Sequence, residues 1–119
     1  MGATLTLVGN LGGDPTLRFT QDGQAICNFS LAINQGYGDN RKTEWVRVTV
    51  FGDFSEVLNK HLYRGAKVEV VSRRFRIGTW ESNGQFHAQL EVIASNVEFL
   101  SPGQQSENGD ESRTEEIPF

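Results

Sequence analysis

Along the segment EWVRVTVF, Glu44 to Phe51, alternate positions divide the residues into two sets. Val46, Val48 and Val50 fall on one side, and Trp45, Arg47, Thr49 and Phe51 on the other. Period-two alternation predicts a strand buried on one face, whose second face ordinarily carries small polar residues. Here that second face holds two large aromatic rings and a guanidinium.

The same alternation, read along the rest of the chain, predicts a string of strands. TLTLVGN (Thr4–Asn10) is a first strand, closed by LGGDP, and TLRF (Thr16–Phe19) continues it after a bend. AICNFSLAI (Ala25–Ile33) alternates cleanly as a second strand, with Ala25, Cys27, Phe29, Leu31 and Ile33 in phase. A Gly- and Asn-rich loop, NQGYGDNRKT, leads into the third strand, Glu44–Phe51. A short helix follows. Asp53 and Glu56 have the spacing of a capping box, and Phe54, Val57, Leu58 and Leu62 share one helical face. Arg64 falls in its last turn, and Gly65 suits the left-handed residue after a helix C-terminus.

Lys67–Trp80 and Phe86–Leu100 then form a hairpin whose turn, ESNGQ, contains Asn83-Gly84. That dipeptide supplies the positive φ angles a tight hairpin turn needs. The fourth strand changes phase along its length: Val68 and Val70 are even-numbered core candidates, whereas Phe75 and Ile77 are odd. One extra residue around Val71–Arg73 restores the pleat as a bulge and sets Arg74, Arg76 and Trp80 together on the face away from Phe75 and Ile77. The order β-β-β-α-β-β, compatible with antiparallel pairing throughout, is that of an all-β, five-stranded Greek-key barrel, the OB-fold, with one helix between strands three and four.

Composition adds a boundary. The formal net charge is −4 over 119 residues, yet residues 1–100 balance their acids and bases. Residues 101–119 set Arg113 against Glu107, Asp110, Glu111, Glu115 and Glu116 and so hold the whole excess. The expected organisation is a folded domain over residues 1–100 and a disordered acidic tail over 101–119 that ends on the apolar Ile117, Pro118 and Phe119. A neutral body attracts polyanions only where its bases cluster. The lone Cys27 allows neither an intrachain disulfide nor a multi-cysteine metal site, and reads as a core thiol. No leader pattern opens the chain, no apolar run reaches membrane-spanning length, and no cofactor is implied.

Catalysis finds no support in the residues. His61 and His87 have no sequence neighbours that make a triad or a metal site, and Gly9, Gly12 and Gly13 lack the Lys-Ser/Thr of a phosphate loop. Binding is better served. Tyr37 in the loop, Trp45 and Phe51 on the third strand and Trp80 on the fourth are interleaved with Arg47, Arg73, Arg74 and Arg76. Aromatic faces accept any unstacked base, and guanidinium groups take phosphates, so the pattern favours single strands over duplex. Packing of the rings in a second core or a subunit interface is the alternative.

Taken together, LTLVGNLGGDPTLRFTQDGQAICNFSLAIN, TEWVRVTVFG and YRGAKVEV resemble the bacterial single-stranded DNA-binding protein (SSB) family over nearly all of residues 3–100. The resemblance implies a homotetramer of OB domains with single-stranded DNA wrapped around it, in the bacterial cytoplasm, acting in replication, recombination and repair. By position it implies base stacking on Tyr37, Trp45, Phe51 and Trp80, and phosphate contacts from Arg18, Arg47 and Arg64. EEIPF is similar to the family's acidic tip, so Glu115, Glu116, Ile117, Pro118 and Phe119 are the expected docking point for partner proteins. The chain departs from the family pattern at Thr4 and Asp53, where some members have Lys, at Val46, where His is frequent, and in VVSRRF, where Arg73 replaces Gly beside one extra residue. An OB-type protein-interaction or replication-restart module and an RNA-binding OB module are the other readings of such a barrel.

Overall fold

The computed structural model describes residues 2–100. Its strands are β1 (Leu5–Leu11), β2 (Thr16–Phe19), β3 (Ala25–Gln35), β4 (Lys42–Phe51), β5 (Lys67–Ser82) and β6 (Gln85–Phe99), with a single α-helix, α1 (Phe54–His61), between β4 and β5. β1 and β2 both run antiparallel to β3, at Leu11↔Leu31 and Thr16↔Asn28, so they are the two halves of one bent strand. The strand order β1-β5-β6-β4-β3-β2 closes on itself through the extra β1–β3 pairing. The result is the five-stranded OB barrel expected from the sequence. At the closure, a side chain on Gly9 would collide with the carbonyl of Ala32, so a glycine is what lets the two strands meet.

One pairing differs from the expectation. β4 and β6 are parallel, in the register Val46↔Leu90 to Thr49↔Ile93. The strand-type pattern of a segment carries no direction; β5 is antiparallel to β6 and so runs opposite to β4, and α1 and β5 together make the return that lays β6 parallel to β4.

The core is filled by the residues whose phase predicted it. Cys27, Leu31, Val48, Val68 and Val70 are fully buried, and Val46, Val50, Phe29 and Val92 nearly so. Burial pushes the Cys27 thiol up from its ordinary value of 9.0 to about 11.

The helix departs from its predicted details. Asp53 occupies the N-cap position but is itself helical in conformation and makes no side-chain cap bond. Ser55 ties the first turn instead, its hydroxyl donating to the Val50 carbonyl at 2.7 Å in a buried site. Accordingly the inward face is Ser55, Leu58 and Leu62, while Phe54 and Val57 stay exposed. The helix also stops at His61, so Gly65, at φ +89°, serves the following turn, where its N–H donates to the Leu11 carbonyl.

The β5–β6 hairpin turns at Asn83-Gly84, both with positive φ. The predicted bulge is present: Val71 pairs with Asn96, Ser72 with Ala94 and Arg74 with Ile93, so Arg73 on β5 and Ser95 on β6 are both passed over. The buried Ser72 hydroxyl patches the interruption, lying 2.8 Å from the carbonyls of Ile93 and Arg74 and 3.2 Å from the Arg74 N–H.

Beyond the bulge the hairpin leaves the barrel, because β1 pairs with β5 only as far as Ser72 and β4 meets β6 only from Leu90 to Ile93. Phe75 and Ile77, expected in the core, are therefore 45% and 64% exposed. Their phase is the core phase, but they stand on an arm with no layer beneath it.

Candidate nucleic-acid interface

The outward face of β4 is as the alternation predicts. Trp45 and Phe51 are 48% and 43% exposed, with Arg47 exposed between them and the three valines buried below. Residues paired across neighbouring strands share a face, so the register lays out what surrounds them. Arg47 lies opposite Ser30 on β3 and Glu91 on β6, and Glu91 lies opposite Arg76 on β5. One step along, Thr49 is flanked by Asn28 and Ile93, and Ile93 by Arg74. Thr49 donates to the Asn28 side-chain carbonyl at 2.9 Å. Arg18 joins from β2, in line with Ile26 and Phe51.

Trp80 extends this face along the arm. It pairs with His87, and the two rings stack with centroids 5.3 Å apart and planes 19° from parallel. One side of the indole is thereby covered by imidazole, and the ring remains 47% exposed. Trp80, Arg76 and Arg74 alternate along β5 on the same face, as the bulge argument requires.

Trp45 rests on the turn that separates β1 from β2. A Cβ on Gly12 would strike the indole at Cζ3 and, at 2.8 Å, at Cη2, so the ring edge lies directly against the glycine backbone. Gly12, Gly13, Asp14, Thr16, Asn28, Ser30, Trp45 and Arg47 line a cleft of about 350 Å³. Asp14 also accepts the backbone N–H of Arg64 at 2.8 Å, which fixes the chain at Arg64 beside that cleft.

Three of the predicted residues stand apart from this surface. Tyr37 is 90% exposed at the tip of the β3–β4 connection, just before the 3₁₀ turn Gly38–Asn40, and among the described residues it stacks on none of the other rings. Arg73 is the residue passed over at the bulge, so it falls outside the alternation of Arg74 and Arg76. Arg64 reaches the cleft through its backbone bond to Asp14. The tip residues Glu115 to Phe119 lie outside the described residues.

Sequence reasoning missed Gly12, Asn28, His87 and Glu91. Gly12 looked like an ordinary turn glycine, and His87 and Glu91 acquire meaning only once the β4–β6 and β5–β6 registers are known. Among the described residues no three His, Cys, Asp or Glu side chains gather as a metal site.

Comparison with known proteins agrees with this geometry. The model of the single-strand binding protein family matches residues 3–100. Single-stranded DNA-binding protein 1 of Chlorobaculum tepidum is 30% identical over 101 residues, covering 79% of this chain and 62% of the relative, so the chain spans somewhat under two thirds of that protein's length. Among solved structures, the Plasmodium falciparum SSB in complex with ssDNA superposes with a TM-score of 0.69 at 26% identity, over 85% of this chain and 96% of that one. The small single-stranded DNA-binding protein of Streptomyces coelicolor gives a TM-score of 0.70 at 21% identity, over 82% and 94%, a likeness of fold. The chain belongs to the single-strand binding protein family.

Proposed function

We propose that the chain binds single-stranded DNA with little regard to sequence, stacking bases on Trp45, Phe51, Trp80 and Tyr37 and holding phosphates with Arg18, Arg47, Arg64, Arg73, Arg74 and Arg76. The observation that carries this reading is the outward face of β4, where half-exposed Trp45 and Phe51 flank Arg47 on a closed barrel. Rings that present a face to solvent beside cations suit unstacked bases and their phosphates, at about 1–3 kcal/mol per stacked base. In this reading the protein is a binder, not an enzyme. It coats exposed strands in replication, recombination and repair in the bacterial cytoplasm.

The oligomeric part of the proposal, a homotetramer, rests on a separate observation. Phe75, Ile77 and Phe86 are exposed together on the side of the arm opposite Trp80. A two-stranded ribbon with an apolar side is marginal alone and gains by covering that side with protein. Recruitment of replication and repair enzymes is assigned to the tip, Glu115 to Phe119, whose acidic pair and apolar Ile117, Pro118 and Phe119 suit capture in a basic, apolar pocket. Deleting Ile117–Phe119 is expected to abolish pull-down of such partners and to leave DNA affinity unchanged.

Both tryptophans of the chain lie on the proposed face. Titration with oligo(dT), duplex DNA and matching RNA, followed by intrinsic fluorescence, therefore tests the reading directly. Strong quenching by oligo(dT) with little by duplex is the expected result. Quenching by none of the three would assign the rings to protein contacts, and stronger binding of RNA would favour the RNA-binding module.

A further inference from the structure

A carboxylate sits in the middle of the proposed base-binding face. Glu91 lies between Arg47 on β4 and Arg76 on β5, in a row of directly paired residues. Its carboxylate is folded down over Gly78: a Cβ there would meet Oε2 at 2.5 Å and Cδ at 2.9 Å. Only a glycine opposite Gln89 leaves room for this posture. The side chain is 34% exposed, against 75% for Arg76, and the Arg76 Nε–Glu91 Oε1 separation is 3.7 Å. That distance is a charge contact without a directional hydrogen bond. No hydrogen bond from another described residue satisfies the carboxylate.

A strand of DNA laid across this face would strip the remaining water from an ionised group with open acceptor sites. Losing those water bonds without replacement is costly, more so for a charged group than for a neutral one. The nearby guanidinium groups, Arg47 and Arg76, are the cations a phosphate would recruit. The donors a single strand itself carries are the exocyclic amino groups of cytosine, adenine and guanine and the ring imino N–H groups of thymine and guanine. In thymine the imino N–H lies between two carbonyl oxygens, which repel a carboxylate drawn up to it, whereas the outer N–H of the cytosine amino group stands beside a carbon-bound hydrogen and meets no such repulsion.

We propose that Glu91 is a specificity-determining residue which accepts a hydrogen bond from the amino group of a bound base and thereby biases an otherwise sequence-tolerant surface toward amino-bearing bases over thymine. Gly78 is the positioning residue that lets the carboxylate lie flat enough to do so. The inference rests on the proposed single-strand binding.

The test compares Glu91→Gln with the wild-type full chain on oligo(dC) and oligo(dT) of equal length at one salt concentration. Both are pyrimidine tracts, so the cost of unstacking the free strand is held nearly constant. The quantity read is the ratio of the two dissociation constants, Kd(dT) over Kd(dC). Glutamine removes the charge and can donate to a thymine carbonyl as well as accept, so the ratio is expected to fall by about fivefold in the variant, the scale of exchanging one charge-assisted hydrogen bond for a neutral one.

Equal changes on both tracts would overturn the proposal and leave Glu91 as a general electrostatic brake on phosphate binding. No change on either would overturn it too. Failure of the wild type to bind both oligonucleotides would instead reject the single-strand binding reading, a result the ratio keeps distinct. Gly78→Ala supplies a second variant with Glu91 intact: the ratio is expected to fall in the same direction, and an unaltered ratio there would remove Gly78 from the account.

Discussion

Gly12 offers the sharpest quantitative handle on the interface because its effect must pass through Trp45. A methyl group at Gly12 would lie 2.8 Å from Cη2 of the indole and nearer still to Cζ3. Ordinary carbon contacts are about 3.5–4.0 Å, so the ring must retreat by roughly one ångström. Gly12 does not occupy the left-handed region, and its N–H bond to the Ser30 carbonyl survives in alanine, so the backbone tolerates the change.

Replacing glycine stabilises by about 0.4–1 kcal/mol through the unfolded chain. Pushing a half-exposed ring off its preferred rotamer costs about 0.5–1.5 kcal/mol. The two nearly cancel, and Gly12→Ala is expected to melt within a few degrees of the wild type. DNA binding should not be spared. A stacked base is worth about 1–3 kcal/mol, and a displaced ring forfeits part of that, about 1 kcal/mol or fivefold in Kd.

Trp45→Ala alone should weaken oligo(dT) binding by the full 1–3 kcal/mol or so. The assay is a double-mutant cycle by isothermal titration, with thermal melts as the control. Because Gly12 acts only through the ring, Gly12→Ala in a Trp45→Ala background should have no further effect on affinity. Additive losses, or full affinity in Gly12→Ala, would refute the reasoning.

Arg47→Ala should lower the magnitude of the log Kobs against log [salt] slope by about 0.7, the share of one phosphate contact on a single strand, and an unchanged slope would remove Arg47 from the phosphate set. Ser72→Ala leaves the Arg74 N–H at the bulge without its side-chain partner and is expected to destabilise by about 1–3 kcal/mol in urea melts, with a neutral outcome excluding the hydroxyl as the patch. Cys27 should resist iodoacetamide at pH 8 in the native state and react in urea, because a thiol pushed up to about 11 is thiolate in only about one molecule in a thousand there. Its raised value also makes stability fall as pH rises from 9.0 toward about 11, since the unfolded thiol ionises first; a flat stability profile across that window would count against the burial.

Much of the fold was legible because its signals are local. The valines of β4, the Asn83-Gly84 turn and the phase change near Arg73 each follow from what one strand must do with its own side chains. The parallel β4–β6 pairing was not legible, as alternation is the same whichever way a neighbour runs. Phe75 and Ile77 misled for a related reason: phase fixes the face a residue takes but not whether anything lies beneath it. The capping box at Asp53 failed because a buried serine hydroxyl, Ser55 to Val50, took over the first turn. On the candidate site, Trp45, Arg47, Phe51 and Trp80 stood out as rings and charges on the wrong side of strands. Gly12 and Glu91 did not, since their significance is a contact with a residue distant in sequence.

The parallel seam between β4 and β6 also governs how this surface comes into being. β3 and β4 are joined by a short connection and can pair early, carrying Trp45, Arg47 and Phe51 with them. The arm bearing Trp80 is likewise a local hairpin. What unites them is the search by which Val46 finds Leu90, a long loop closure of the kind that places β-rich domains in the millisecond-to-second range of folding times. The full width of the face exists only where that seam is made, so a change that opens the β4–β6 pairing would part Trp45, Arg47 and Phe51 from Trp80 while leaving each hairpin its own partner strand.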